Sequence, residues 1–210
     1  MNVKSDIYFV SETGGSFFEA LAPLVHAFSK RLYRHVRDKV LICTRGIYTV
    51  SVTVPYVPSP YEVIRKALEI AGLKSGELFL DPGCGDGRSL VIASKEFGAK
   101  AVGIEIRRDL LEQAMKNVIE AGVSGNVVLV NGSFFEVKFP KADVVFLYLL
   151  TSVNEKLKPK LLSELKPSTR IVSHDFEITG WRPVEVYNLE EGGRSHRIYY
   201  YVVEESSRQP

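Results

Sequence analysis

Glu77-Leu-Phe-Leu-Asp81-Pro-Gly83-Cys-Gly85-Asp-Gly87-Arg88 decides the fold of this chain. An apolar run, an acid at its end, three glycines at alternate positions and a return to helix-forming residues read as strand, tight turn, helix. Glycines in such a turn let the backbone adopt positive φ and pass close to a ligand. The helix that follows offers free N–H groups and the positive end of its dipole. A dinucleotide site uses the same architecture, but its G-x-G-x-x-G spacing needs a third glycine at position 88, which is Arg88. The G-x-G-x-G spacing observed here fits dinucleotides poorly.

Working outward, apolar strands are expected at about 77–81, 101–106, 126–130, 142–148 and 169–174. Helices at about 88–97, 109–121 and 154–164 fall between most of them. That alternation is a parallel sheet with crossover helices. A further helix precedes it, started by Ser59-Pro60-Tyr61-Glu62: an N-cap serine, proline at the first helical position and glutamate at the third. Val184 to Leu189 and His196 to Val203 read as two strands whose short link, Glu190 to Ser195, joins only antiparallel neighbours. Five parallel strands and a terminal antiparallel hairpin are the strand inventory of the class I methyltransferase sheet. The expected fold is therefore α/β, Rossmann-like and seven-stranded, over residues 55–210. Residues 1–54 read as an N-terminal extension, with two short helical pieces followed by strands at 40–44 and 47–54.

Composition closes off other classes. Of 210 residues, 45% are hydrophobic and 25% charged, ordinary values for a globular protein. Two cysteines, Cys43 and Cys84, support neither a disulfide scaffold nor a zinc site. The longest apolar run, Val144 to Leu150, is too short to span a membrane. The first ten residues carry Lys4 and Asp6 and lack the apolar stretch of a signal peptide, so a cytoplasmic protein is expected. Residues 1–58 hold seven Lys/Arg against four Asp/Glu, and the remainder 20 against 21, so the main body makes no demand for nucleic acid. Few thermolabile residues suit a thermophile, with Gln only at 113 and 209 and Met only at 1 and 115.

Three further motifs carry chemistry. The acid and glycines Asp81, Gly83 and Gly85 match methyltransferase motif I, which makes S-adenosylmethionine the expected cofactor. Glu105 ends the next strand, 22 residues beyond Gly83; it either accepts both ribose hydroxyls or caps the helix near Asp109. In Asn131-Gly-Ser133-Phe134-Phe135, a polar side chain and an aromatic suit an adenine, although paired phenylalanines after a strand also serve as core. Ligands in open α/β sheets bind beyond the carboxyl ends of the strands, so Tyr148 to Asn154 should face the transferred methyl group. The chain has no [Asn/Asp]-Pro-Pro-[Tyr/Phe] grip for amino groups of bases and no Pro-Cys nucleophile; Cys84 reads as a small space-filler.

Val54-Pro-Tyr56-Val-Pro-Ser-Pro60, the turn from Asp81 to Arg88, Leu149-Leu-Thr-Ser-Val-Asn154-Glu155-Lys-Leu-Lys-Pro-Lys160 and Val172-Ser-His-Asp-Phe-Glu177-Ile-Thr-Gly-Trp181 together resemble the seven-β-strand protein lysine methyltransferases of Crenarchaeota. These are similar in turn to the mitochondrial methyltransferase acting on the ATP synthase c subunit. The resemblance covers about 55–205 and implies S-adenosylmethionine-dependent methylation of lysine ε-amines on many proteins; a monomer without a metal is expected. It places Tyr56 and Ser59 in a loop over the cofactor. Tyr148 and the carbonyls around Leu149 and Leu150 would orient the amine, with Thr151 and Asn154 as helpers; Tyr148 also fits a buried strand position. Tyr56, Tyr148 and Trp181 would line a slot for the lysine stem, unless Trp181 packs under the hairpin. Two positions depart from the pattern: Pro82 replaces a leucine, and Ser133 stands where Asp or Asn is usual. An RNA or small-molecule methyltransferase, using the basic helix face at residues 30–39, and a silent cofactor-binding module are the alternatives.

Overall fold

The computed structural model describes residues 6–10 and 41–42 by their backbone and residues 56–207 in full. Strands β1 (Asp6–Val10) and β2 (Leu41–Ile42) come first. Helix α1 (Tyr61–Ile70) then leads into β3 (Leu78–Pro82), α2 (Arg88–Lys95), β4 (Lys100–Glu105), α3 (Arg108–Glu120) and β5 (Val127–Asn131). The chain continues through β6 (Val144–Leu147), α4 (Thr151–Glu164) and β7 (Arg170–His174). It ends in β8 (Glu185–Glu191), β9 (Arg194–Val202) and the short α5 (Val203–Ser207).

One sheet runs in the order β2-β1-β5-β4-β3-β6-β7-β9-β8. Strands β5, β4, β3, β6 and β7 are parallel, and β9 lies antiparallel between β7 and β8. These seven are the expected class I sheet. Strand β1 adds to its edge, antiparallel to β5 from Asp6↔Asn131 to Val10↔Val127, and β2 pairs with β1. The strand at β1 was not foreseen. Leu41–Ile42 falls within the expected strand at 40–44, while the expected strand at 47–54 and both helical pieces lie outside the described residues.

Alternation along each strand builds two cores. Phe79, Ala101, Leu129, Phe146 and Val172 face α1, α2 and α3, whose apolar stripes include Ile64, Leu90 and Leu111. Leu80, Val102, Val130, Leu147 and Ile171 face the other way, onto Leu157 and Leu161 of α4. Fully buried parallel strands of this kind need helices on both faces. Chain order reverses direction at β3, which lies between β4 and β6, and ligand sites in open α/β sheets form at such a reversal. The glycine turn leaves β3 at that point. The terminal hairpin turns on Gly192 and Gly193 alone, at φ +60° and +74°, tighter than the six-residue link expected. Two consecutive positive φ values are what a two-residue hairpin turn of matching twist requires. Helix α4 starts at Thr151, three residues earlier than expected, so Asn154 lies inside it.

Candidate active site

Asp81 lies in β3, and the chain turns through Gly83 and Gly85 into α2. The N–H groups of Gly83 and Cys84 donate to the Ile104 carbonyl at 2.7 and 3.2 Å, stitching the turn to the end of β4. Gly85 has φ +54°, and a Cβ there would meet the Tyr56 ring at 2.4 Å. Glycine alone lets that ring lie on the backbone. Glu105 closes the turn from the other side: its Oε2 accepts the Gly85 N–H at 3.0 Å and its Oε1 accepts the Arg107 N–H at 2.8 Å. Helix α3 begins after Arg107, so Glu105 braces two loops and caps no turn of that helix. Asn131 fixes the same corner by donating to the carbonyls of Glu105 and Ile106 at 2.9 and 3.2 Å.

Two carboxylates are thus buried at one mouth, Asp81 at 5% exposure and Glu105 at 7%. Neither has an ion-pair partner among the described residues. Burial pushes Asp81 up to about 7, against the hydrogen bond it accepts from the Ser89 hydroxyl. Burial also raises Glu105 above the ordinary carboxylate range, against the N–H groups of Arg107 and Gly85. An uncompensated buried charge is costly, and a cationic ligand relieves it. The site therefore fits a ligand carrying positive charge and adjacent hydroxyls. Cys84 packs inward beside Gly103, and burial pushes its thiol up, as a space-filling residue requires.

The loop before α1 is tied over this mouth. Asp86 and Arg88 pair at 2.6 Å, and the Arg88 guanidinium also reaches the Ser59 carbonyl at 3.2 Å and lies 4.9 Å over the Tyr61 ring. Burial acts to raise Asp86, but the bonded Arg88 outweighs it and holds that carboxyl below its ordinary value. Burial and the Asp86 charge push the Tyr56 phenol up to about 12. Ser59 does not cap α1, whose first turn has no side-chain cap. Its hydroxyl instead bonds His174 Nδ1 at 2.8 Å, 115 residues away. A long-range partner has displaced the local one.

On the far side of the turn, Phe134 and Leu149 flank Gly83, whose added Cβ would lie 3.7 and 3.3 Å from them. Phe135 is exposed and tilts against Phe134 at 4.8 Å. The Ser133 hydroxyl accepts the Phe135 N–H at 3.3 Å, and the Ser133 carbonyl closes the turn that follows.

Tyr148, half-buried beyond the end of β6, stacks on His174 at 4.0 Å and tilts on Phe176 at 6.0 Å. Three expectations are corrected here. Trp181 does not join Tyr148; it packs edge-on against Tyr201 at 6.2 Å, in the core of the opposite sheet face. Asn154 is fully buried, and its Nδ2 donates to the Phe176 and Glu177 carbonyls at 3.4 and 3.3 Å, so it holds the loop after β7 instead of facing a substrate. The Leu150 carbonyl accepts the Val153 and Asn154 N–H groups as α4 starts, which commits it to the helix. Thr151 is the first residue of α4 and partly exposed. Sequence reasoning missed His174, Phe176 and His196. Burial drives His174 down to about 4, and its Nε2 lies 2.8 Å from His196 Nδ1. An aromatic at each strand end was the available signal.

Residues 81–185 match the family model of the ANTKMT methyltransferase domain. A protein-lysine N-methyltransferase of Saccharolobus islandicus (strain REY15A) is 50% identical over 153 residues, 72% of this chain and 95% of that protein. The chain belongs to this methyltransferase family. The adenine nucleotide translocase lysine N-methyltransferase of Mus musculus is 30% identical over 151 residues, 71% of this methyltransferase and 63% of the mouse protein. A crystal structure of an RNA methyltransferase from Salinibacter ruber with S-adenosyl-L-homocysteine superposes with a TM-score of 0.67 at 40% identity, covering 73% of this chain and 97% of that one. The methyltransferase uses S-adenosylmethionine as its cofactor, in keeping with the paired buried carboxylates at the glycine turn.

Proposed function

We propose that this methyltransferase modifies lysine ε-amines of proteins, over a broad range of substrates, with Tyr148 at the transfer point. The observation that carries the lysine reading is the 50% identity to a protein-lysine N-methyltransferase across 95% of that relative. When bound, S-adenosylmethionine supplies an electrophilic methyl group on a sulfonium. The protein's task is then to hold the cofactor, align a neutral amine and exclude water.

Asp81 and Glu105 would hold the cofactor's positive charge and hydroxyls, and Gly83 and Gly85 would let it lie against the backbone. Tyr56 and Ser59 would cover it from the loop, with Ser133 and Phe134 on the adenine side. These assignments are supported by the burial of both carboxylates and by the approach of Tyr56 and Phe134 to the glycine turn. Lysine has a reference pKa of about 10.4, so the amine must shed a proton before attack. The half-buried Tyr148 surface beside Phe176 disfavours the ammonium by desolvation and gives its stem an apolar wall. The Tyr148 hydroxyl and the Leu149 carbonyl would orient the amine, while Asn154 acts from behind by fixing the Phe176 loop.

The 40% identity to an RNA methyltransferase favours a second reading, RNA as the acceptor. Incubation with methyl-labelled S-adenosylmethionine and either bulk protein or bulk RNA separates the two. Label in protein is expected; label confined to RNA would replace the lysine reading with the second.

A further inference from the structure

We propose that His174, Asp175 and His196 form a site for one divalent transition-metal ion, zinc by the chemistry of its donors, at the seam between β7 and β9. His174 ends β7, Asp175 follows it, and His196 comes from the neighbouring antiparallel strand. Their ligand atoms lie within 4.8 Å of one another. His174 Nε2 is 2.8 Å from His196 Nδ1 and 3.3 Å from Asp175 Oδ2, and His196 Nδ1 is 3.8 Å from Asp175 Oδ2. Donors bonded to a tetrahedral zinc at about 2.0–2.1 Å stand about 3.3 Å apart, so these three already outline one face of such a site. Two imidazole nitrogens and one carboxylate oxygen suit zinc, cobalt, nickel or copper and disfavour magnesium and calcium.

The surroundings are built as those of metal ligands are. Both rings are buried, at 0% and 3% exposure. His174 Nδ1 is held by the Ser59 hydroxyl at 2.8 Å, the outer hydrogen bond that fixes a ligating imidazole with its other nitrogen turned inward. The stacked Tyr148 ring packs against the same imidazole. Asp175 has φ +60°, the sole positive φ outside glycine among the described residues. It is pinned there by its N–H to the Arg197 carbonyl at 2.6 Å and by its Oδ1 accepting the Arg197 N–H at 2.9 Å. That conformation aims Oδ2 at both rings.

One group competes. The Arg194 guanidinium pairs with Asp175 Oδ2 and also interacts with Tyr148. Its side chain is 55% exposed at the hairpin turn, so it can swing to solvent when an ion takes its place on the carboxylate. The proton shared between His174 Nε2 and His196 Nδ1 moves at the same step to the other nitrogen of the ring that carries it, a tautomer shift relayed by water that leaves both imidazoles neutral with a lone pair on the ion. The bound ion then clamps the hairpin to β7 and holds His174 under Tyr148.

The test uses the full chain, stripped with chelator and titrated calorimetrically with zinc chloride and, separately, magnesium chloride. One zinc per chain and no magnesium binding are expected. Cobalt(II) should give the intense visible bands of a low-symmetry four-coordinate ion. H196Q and D175N, each checked by circular dichroism, should weaken zinc binding at least tenfold, and R194A should tighten it by removing the competing cation. Absence of zinc binding by the wild-type chain would overturn the proposal. So would zinc binding unchanged in folded H196Q and D175N, which would place the ion on other donors.

Discussion

Glu105→Gln keeps the shape of a buried side chain and removes its charge. The wild-type carboxylate accepts two backbone N–H groups, Gly85 at 3.0 Å and Arg107 at 2.8 Å. Glutamine offers one oxygen, so one of those groups must face an NH2, donor against donor. A buried N–H without an acceptor costs about 1–3 kcal/mol. Against this, burial already disfavours the carboxylate, so losing the charge returns part of that cost. A net loss of about 1 kcal/mol is expected, which lowers Tm by about 2–4 °C for a protein of this size. Cofactor binding should suffer more. The amide cannot accept two hydroxyls as an anion does, and losing a charged hydrogen bond costs about 1.5–3 kcal/mol. That is about a 10- to 150-fold rise in Kd. Calorimetric titration with S-adenosylmethionine, alongside thermal melts, reads both effects. A folded variant with Kd within about twofold of wild type would refute the assignment of Glu105 to the cofactor.

Asp81 gives a pH dependence of unusual sign. Its folded value of about 7 lies above the ordinary 3.8, so it stabilises the cofactor-free fold below about pH 4. That contribution is lost as pH rises through 7, at up to about 1.4 kcal/mol per pH unit. Asp81→Asn should flatten this limb of the melts, and an unchanged slope would contradict it; cofactor affinity of the wild type should instead rise from pH 5 to 7. Tyr148→Ala should cut turnover by about tenfold or more while cofactor Kd stays within about twofold, and Tyr148→Phe, which keeps the stack on His174, should lose less. Parallel loss of turnover and cofactor binding would make Tyr148 structural. Trp181→Ala should cost about 3–5 kcal/mol of stability, as for a buried aromatic, and leave turnover of the folded fraction near wild type; a mild melt with lost turnover would return Trp181 to the substrate slot.

The sheet was legible because its signals are local. The glycine turn needs its own residues at fixed spacing, and the unbroken apolar run of Val144 to Leu147 needs no partner to be seen. The readings that failed depend on distant partners. Ser59 has the local chemistry of an N-cap, yet its hydroxyl meets His174 across 115 residues. Trp181 follows β7 closely enough to reach the site, but the parity of β9 puts Tyr201 beneath it on the opposite face. Asp6-Ile-Tyr-Phe-Val10 has strand composition, but its pairing with β5 spans more than 110 residues. The His174–His196 contact arises only when β9 inserts antiparallel beside β7.

The acceptor atom tests the account most directly. The enzyme would be incubated with S-adenosylmethionine and a lysine-containing protein substrate, then the product digested and sequenced by tandem mass spectrometry. The account predicts mass increments of about 14 Da, one per added methyl, on lysine side chains, and none on substrate whose lysine amines have been blocked beforehand. Methylation undiminished by that blocking, or placed on any other residue, would contradict it.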